Sequence, residues 1–466
     1  MPTECERGSG RLPVVQVLAL LAALTLPWMG AARAAVNVQT WSLDNGARVL
    51  FVESRAMPML DVAVDFRAGS AFDPSERSGL AAMTQHLARF GAGGLSEDEI
   101  ARRLGDIGAQ ISGRIDADRA GFVLRTLSFR AERAQALDVF ARIVQSPEFP
   151  IPALERERAR ISTNLREEAT RPNIIVSRLF FATAYGAHPY AQRPVGDADG
   201  VRALTRETIV DFRRRFYNGT SAVVSIVGDV SRGEAEAIAR QVAGALPAGA
   251  VRASVSPVAS LPAPQVRRVP HPSLQSHILI GVPAVSRSDP DFFALLVGNQ
   301  ILGGGGFASR LTSEVREKRG FAYSVFSSIQ PLLERGPFQI ALQTRKDQSD
   351  EALAVVRSVL VDFLGKGPTA EELANARRHL INGFPLRIDT NREVLDLIAT
   401  IGFYDLPADW LTQWTRLVER VTREDVMRAF RRLDPERMVT VVVGAPDDPP
   451  SAPVRSRAER LGAVQP

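Results

Sequence analysis

Cysteine and lysine are almost missing from this 466-residue sequence, and each shortage excludes something. The one cysteine, Cys5, lies ahead of an N-terminal apolar run, so a chain trimmed behind that run carries no thiol. Disulfides, thiolate metal sites and cysteine nucleophiles are then excluded. Lys318, Lys346 and Lys366 are the lysines, so nearly all of the 57 basic residues are arginine. They are interspersed with 52 acids for a net charge of +5, and no basic stripe with interleaved aromatics appears, so nucleic-acid binding is not expected. Long apolar runs are missing beyond the first thirty residues, which leaves no later segment able to span a bilayer. A composition of 45% hydrophobic and 23% charged residues excludes disorder and coiled coil as whole-chain descriptions. The length is too great for one ordinary domain.

The N-terminal run has the marks of an export signal. Arg7 and Arg11 precede the apolar stretch from Val14 to Leu26, and Ala32-Arg33-Ala34 supplies a small-x-small cleavage pattern. A retained anchor is the competing reading, but the run is shorter than the ~20 residues a spanning helix needs, and Pro13 and Pro27 bracket it. Residues 1–34 are therefore expected to be a signal peptide, with the mature chain starting near Ala35 in the periplasm and no membrane attachment after cleavage.

Two stretches repeat one unit. Thr205-Arg206-Glu207 opens an amphipathic helix, and the apolar strand Ala222 to Val227 follows, ending at Gly228. Thr422-Arg423-Glu424 opens another, followed by Met438 to Val443 and Gly444. The threonines are 422 − 205 = 217 residues apart and the glycines 444 − 228 = 216, so helix, loop and strand match in register. In both copies the threonine can cap the helix, with an acid near the positive end of its dipole. Residues 248–264, rich in Pro, Ala, Ser and Val without helical period, are expected to link domains at 35–247 and 265–449, with a flexible tail at 450–466. In the first domain the sequence predicts a hairpin around Asn45-Gly46, a strand at 60–66, helices at 78–90 and 97–107, strands at 109–116 and 121–129, and helices at 131–145 and 151–170. Strands of this kind interrupted by helical pairs predict α+β domains, each an antiparallel-rich sheet with helices packed on one face.

Gly79-Leu80-Ala81-Ala82-Met83-Thr84-Gln85-His86-Leu87 falls on the first of these helices. Here the sequence resembles the pitrilysin/insulinase family of zinc peptidases, whose inverted motif H-x-x-E-H follows a Gly-Leu-Ala run. That spacing puts two imidazoles and a carboxylate on one helix face, the imidazoles to hold zinc and the carboxylate to take a proton from zinc-bound water. In this sequence the three positions are Ala82, Gln85 and His86. The stretch His188-Pro189-Tyr190, Pro194-Val195-Gly196 and Leu204 to Glu207 is also similar to the family. By the same resemblance the third ligand, a glutamate, would fall on Asn164, or on Thr163 in the alternative register; neither is a carboxylate. Glu157, seven residues before Asn164, shares its helix face. A catalytic zinc needs three protein ligands and a basic group beside its water, so this chain is expected to bind no zinc of its own. His86 is read as a hydrogen-bonded core histidine, and His188, His271, His277 and His379 do not restore the pattern.

The most specific run is Gly303-Gly304-Gly305-Gly306-Phe307-Ala308-Ser309-Arg310-Leu311, continuing through Arg316 to Tyr323. A phosphate-cradling loop is the rival reading of its glycines, but no Gly-Lys-Ser/Thr follows and no strand feeds them. The run is similar to the family's second-domain signature, which implies that Arg316 and Tyr323, seven residues apart, are an arginine/tyrosine pair reaching towards peptide at a zinc site. A guanidinium can bind a peptide carbonyl or carboxylate, and a phenol can donate to a developing oxyanion. Some bacterial members of the family work as heterodimers in which one subunit carries the metal motif and the other this pair. The resemblance implies that this chain is the second kind, a non-catalytic subunit whose intact H-x-x-E-H sister would supply the zinc. Two rivals stand beside it: a peptide-binding or assembly protein with the peptidase fold and no role in hydrolysis, and a self-sufficient hydrolase with an unorthodox site.

Overall fold

The Asn45-Gly46 pair turns the chain between β1 (Gln39–Ser42) and β2 (Arg48–Glu53), which run antiparallel, with Gly46 at φ 88° where a side chain would be strained. The computed structural model describes residues 36–249 and 252–445; the expected signal peptide at 1–34 and the tail at 450–466 lie outside them. The described residues from Val38 to residue 445 form one packed unit. Further along come β3 (Met59–Phe66), the short pair β4 (Gly91–Ala92) and β5 (Leu95–Ser96), then β6 (Gln110–Ile115), β7 (Ala120–Leu127) and β8 (Ala222–Gly228). The six longer strands make one sheet in the order β1-β2-β8-β3-β7-β6, antiparallel throughout except where β2 runs parallel to β8.

A second sheet contains β9 (Gln265–Pro270), β10 (Gln275–Val285), β11 (Ala322–Ile329), β12 (Gly336–Arg345) and β13 (Val439–Ala445) in the order β11-β12-β10-β13-β9. Its one parallel pair is β13 with β9. Reading β6-β7-β3-β8-β2 against β11-β12-β10-β13-β9 superimposes strand order, direction and the single parallel pair, so the repeated unit of the sequence extends to a whole sheet. The repeated helices, Arg206–Phe216 and Arg423–Phe430, begin alike: Thr205 accepts from the Thr208 amide and Thr422 from the Asp425 amide.

Alternation along the strands gives each sheet two buried faces. On the first sheet Val49, Phe51, Val62, Val64, Val224 and Ile226 belong to the core under that half's own helices. The opposite face, with Leu50, Ala63 and Val223, is also buried. Its cover is the helix Asn391–Phe403, which comes from the second half of the chain and lies on β8 and β3. Gly402 packs so closely there that a Cβ would run into Leu50 and Val223, and Arg48 donates to its carbonyl. The exchange is mutual, because Pro172–Tyr185 of the first half lies on β13 and β10, placing Val176, Phe180 and Ala184 against Val439, Val441 and Val443. Each sheet thus has its own helices on one face and the other half's helix on the other.

The segment expected to link two domains is irregular where it is described, yet its middle is fastened to the rest of the protein. Val255 and Val258 are buried in the cluster that holds Phe180 and Val441. His188 Nε2 donates to the Ser256 carbonyl at 2.8 Å, and Arg335 reaches Ser260 Oγ at 3.1 Å.

Candidate functional site

The helix Leu80–Leu87 starts from Gly79, whose φ of 90° and close approach to the Val195 carbonyl leave no room for a side chain. Asp73 closes its N-terminus, accepting from the Gly79 amide at 2.8 Å and the Ala81 amide at 2.7 Å. Leu80, Ala81, Met83 and Leu87 bury one side. The other side meets the helix Ile151–Glu168 across a pocket of about 220 Å³.

Ala82, Gln85, His86 and Asn164 all line that pocket, so the positions that the resemblance picked out meet in space. Thr163 takes no part: its hydroxyl donates to the Ala159 carbonyl on the exposed side of its own helix. Gln85 is buried, with its Nε2 donating to the Gly121 carbonyl at 3.1 Å. Its amide lies so close across β6 that a Cβ on Gly113 would overlap it.

His86 Nε2 stands 2.9 Å from Glu157 Oε2, and His86 Nδ1 stands 3.1 Å from an Arg89 NH2 group. A guanidinium only donates, so Nδ1 accepts from Arg89 and Nε2 carries the proton given to Glu157. Burial lowers the His86 pKa; the hydrogen bond to Glu157 opposes this, and the charges of Arg89 and Arg160 reinforce it. The imidazole is therefore neutral at pH 7. Burial works against the charge of Glu157, but hydrogen bonds from Arg160, at 2.7 Å, and from His86 outweigh it and hold the carboxyl below its ordinary value.

Zinc would need at least three donors with free lone pairs. Here the His86 imidazole is engaged by Arg89 and Glu157, the Glu157 carboxylate also by Arg160 and Arg156 and the Glu168 carboxylate by Arg193, and the remaining motif positions offer a methyl and two amides. Among the described residues no three His, Cys, Asp or Glu side chains lie close enough to hold a metal ion. The residues present do not fit a zinc ion, and no group is free to act as a base towards water.

In the second half the helix Phe292–Asn299 runs on through a wide turn of π type, Gln300–Gly304. A Cβ on Gly303 would strike the Ser327 amide, and Asn299 exchanges hydrogen bonds with Ser327. The glycines thus bring a helix close against β11. A second π-type turn, Thr312–Glu317, carries Arg316, and such turns are frequent at functional sites. The Arg316 guanidinium lies 4.8 Å from the ring centroid of Tyr323 and 4.8 Å from that of Phe307. Tyr323 is 84% and Phe307 69% exposed, and the half-buried Arg316 is stacked between these two outward-facing rings. Sequence reading paired Arg316 with Tyr323 but missed Phe307, whose signal was an aromatic directly after the glycine run. It also missed Arg89 and Arg160, each three residues beyond a residue it had singled out, Arg160 on the same helix and Arg89 in the turn that ends the other.

Residues 48–197 match the family model described as insulinase, peptidase family M16, and residues 203–380 match the one described as the peptidase M16 inactive domain. An uncharacterized zinc protease of Mycobacterium leprae is 25% identical over 419 residues, which cover 89% of this chain and 93% of the relative. Among solved structures, a peptidase M16 inactive domain from Pseudomonas fluorescens is 37% identical with a TM-score of 0.85, over 88% of this chain and 98% of that one. A protease from Helicobacter pylori shares the fold at 20% identity and a TM-score of 0.81, over 88% of this chain and 99% of that one.

Proposed function

Given that the chain belongs to the insulinase (M16) peptidase family, we propose that it is a non-catalytic subunit of a periplasmic zinc peptidase. In this reading an intact H-x-x-E-H sister chain supplies zinc and the general base. This chain supplies half of a peptide chamber and the Arg316/Tyr323 pair. One observation carries the reading: the Arg316–Tyr323 stack is assembled with its tyrosine exposed, while the motif pocket of the same chain has its one imidazole tied to Arg89 and Glu157. A half-buried guanidinium beside an exposed phenol is suited to hold a peptide carbonyl and to donate to an oxyanion, and both need a metal site on another molecule to be of use. The likeness to a solved inactive domain of the same family supports the division of labour.

The purified chain is expected to hold far less than one zinc per chain by elemental analysis after dialysis, and to cleave no peptide alone. Mixed with an intact sister, it should restore cleavage of unstructured peptides. Tyr323→Phe should then lower turnover about 100- to 1,000-fold with the complex intact, because it removes one hydroxyl and keeps the ring. Complexes of Tyr323→Phe and Arg316→Ala that cleave at the wild-type rate would instead favour an assembly or peptide-holding role. Stoichiometric zinc lost on His86→Ala would sink the proposal altogether.

A further inference from the structure

A cavity of about 540 Å³, apart from the motif pocket, is lined by Arg67, Arg215, Arg252, Phe72, Phe216 and Ser254. Behind its arginines sits a charge imbalance. Asp405, at the end of the exchanged helix, is the carboxylate shared by Arg48, Arg67 at 3.0 Å and Arg252 at 2.9 Å. Arg215, at the exposed edge of the cavity, has no carboxylate partner among the described residues; its guanidinium lies 5.1 Å from the Phe216 ring centroid. Four guanidiniums to one carboxylate leave 4 − 1 = +3 around the cavity. Asp118, on the far side of Arg67, is engaged by Tyr190, Tyr404 and the Leu333 amide; counted as ionised, it still leaves 4 − 2 = +2.

The excess is felt inside the protein. Arg48 and Arg67 are both shifted downward, first by burial and then by the charge of Arg252. The Nε groups of Arg48 and Arg67 are buried without an acceptor. A further carboxylate would add one negative charge, whereas a phosphate brings two and offers three oxygens to the guanidiniums that line the cavity. Phe72 and Phe216, whose ring centroids are 5.2 Å apart, line the same cavity and give it an apolar wall, with Arg215 at its edge.

We propose that this cavity is a binding site for a phosphate monoester, its phosphate held by Arg67, Arg215 and Arg252 and its organic part on the Phe72–Phe216 wall. Asp405 competes for two of those three arginines, so the site is partly occupied by the protein's own carboxylate. That competition gives two variants opposite signs. Arg215→Gln removes a ligand arginine with no ion pair of its own, and Asp405→Asn frees Arg67 and Arg252.

The test is isothermal titration of the purified full chain with inorganic phosphate, glycerol 3-phosphate and hexaglutamate at constant ionic strength, with sodium chloride as control. Saturable binding of glycerol 3-phosphate, tighter than inorganic phosphate, is expected. Arg215→Gln should weaken it at least fivefold with an unchanged ligand-free melting temperature. Asp405→Asn, checked for native circular dichroism, should tighten it at least fivefold. No heat beyond the chloride control, or an ester that binds no tighter than inorganic phosphate, would overturn the assignment. So would Arg215→Gln binding as the wild type does, or hexaglutamate binding where both phosphates fail.

Discussion

His86 lies between opposite charges, and that position decides what the old motif helix does now. Its Nδ1 takes a hydrogen bond from Arg89 and its Nε2 gives one to Glu157, so the ring is a neutral spacer in an ion network. Gln85 is equally committed, because only a donor suits the Gly121 carbonyl in front of it. Gln85→Glu would set a carboxylate against that carbonyl in a buried site. The expected cost is about 1–3 kcal/mol in urea denaturation at pH 8, shrinking as the pH falls and the new carboxyl takes up a proton. Ala82, Gln85, His86 and Asn164 were legible through the family resemblance, which marked the i, i+3 and i+4 positions of one helix face and implied the third position on a second helix. Arg89 and Arg160 were not singled out, since a charged residue on a helix or at its end looks the same whether it meets solvent or a partner. What settles the matter is the approach of two helices separated by some 70 residues, a long-range distance that local spacing does not carry.

At the scale of elements, the first half follows its sequence closely. The hairpin at Asn45-Gly46, the strands β3, β6 and β7 and the helices Arg130–Gln145 and Ile151–Glu168 fall where turn residues and apolar periods put them. The exchange of Pro172–Tyr185 and Asn391–Phe403 between the halves was beyond such reading. An apolar helix stripe states that it will be covered, and says nothing about which sheet covers it. Gly402 marks the place where the second exchange is tightest, against Leu50 and Val223. Gly402→Ala adds one methyl group to that contact and is expected to destabilise the protein by about 1–3 kcal/mol, read from guanidinium denaturation monitored by tryptophan fluorescence. Because the methyl group wedges both halves at once, the transition should move to lower denaturant as one step, without splitting in two.

Across the whole molecule, Asp118 joins the halves. It is buried, it accepts from Tyr190 Oη at 2.6 Å within its own half, and it accepts from the Leu333 amide at 2.7 Å and Tyr404 Oη at 3.1 Å in the other. Burial pushes its carboxyl up to about 6, against the lowering effect of the Tyr190 hydroxyl. A carboxyl raised in the folded state binds its proton more tightly there than in the unfolded chain. Its contribution to stability is therefore fully present below the ordinary value near 3.8 and is lost as the pH rises through about 6. Asp118→Asn should flatten the dependence of the melting temperature on pH between 4 and 7, as followed by differential scanning calorimetry. The mutual exchange of helices has one more consequence, and it concerns synthesis. β8 ends at Gly228, but the cover for the far face of its sheet is complete only at Phe403, which is 403 − 228 = 175 residues later. At a translation rate of about 5–20 residues per second, that face stays bare for roughly 10 to 35 s on every ribosome. A chain cut short before Phe403 is therefore expected to leave that apolar face uncovered and to aggregate, read from its share in the insoluble fraction.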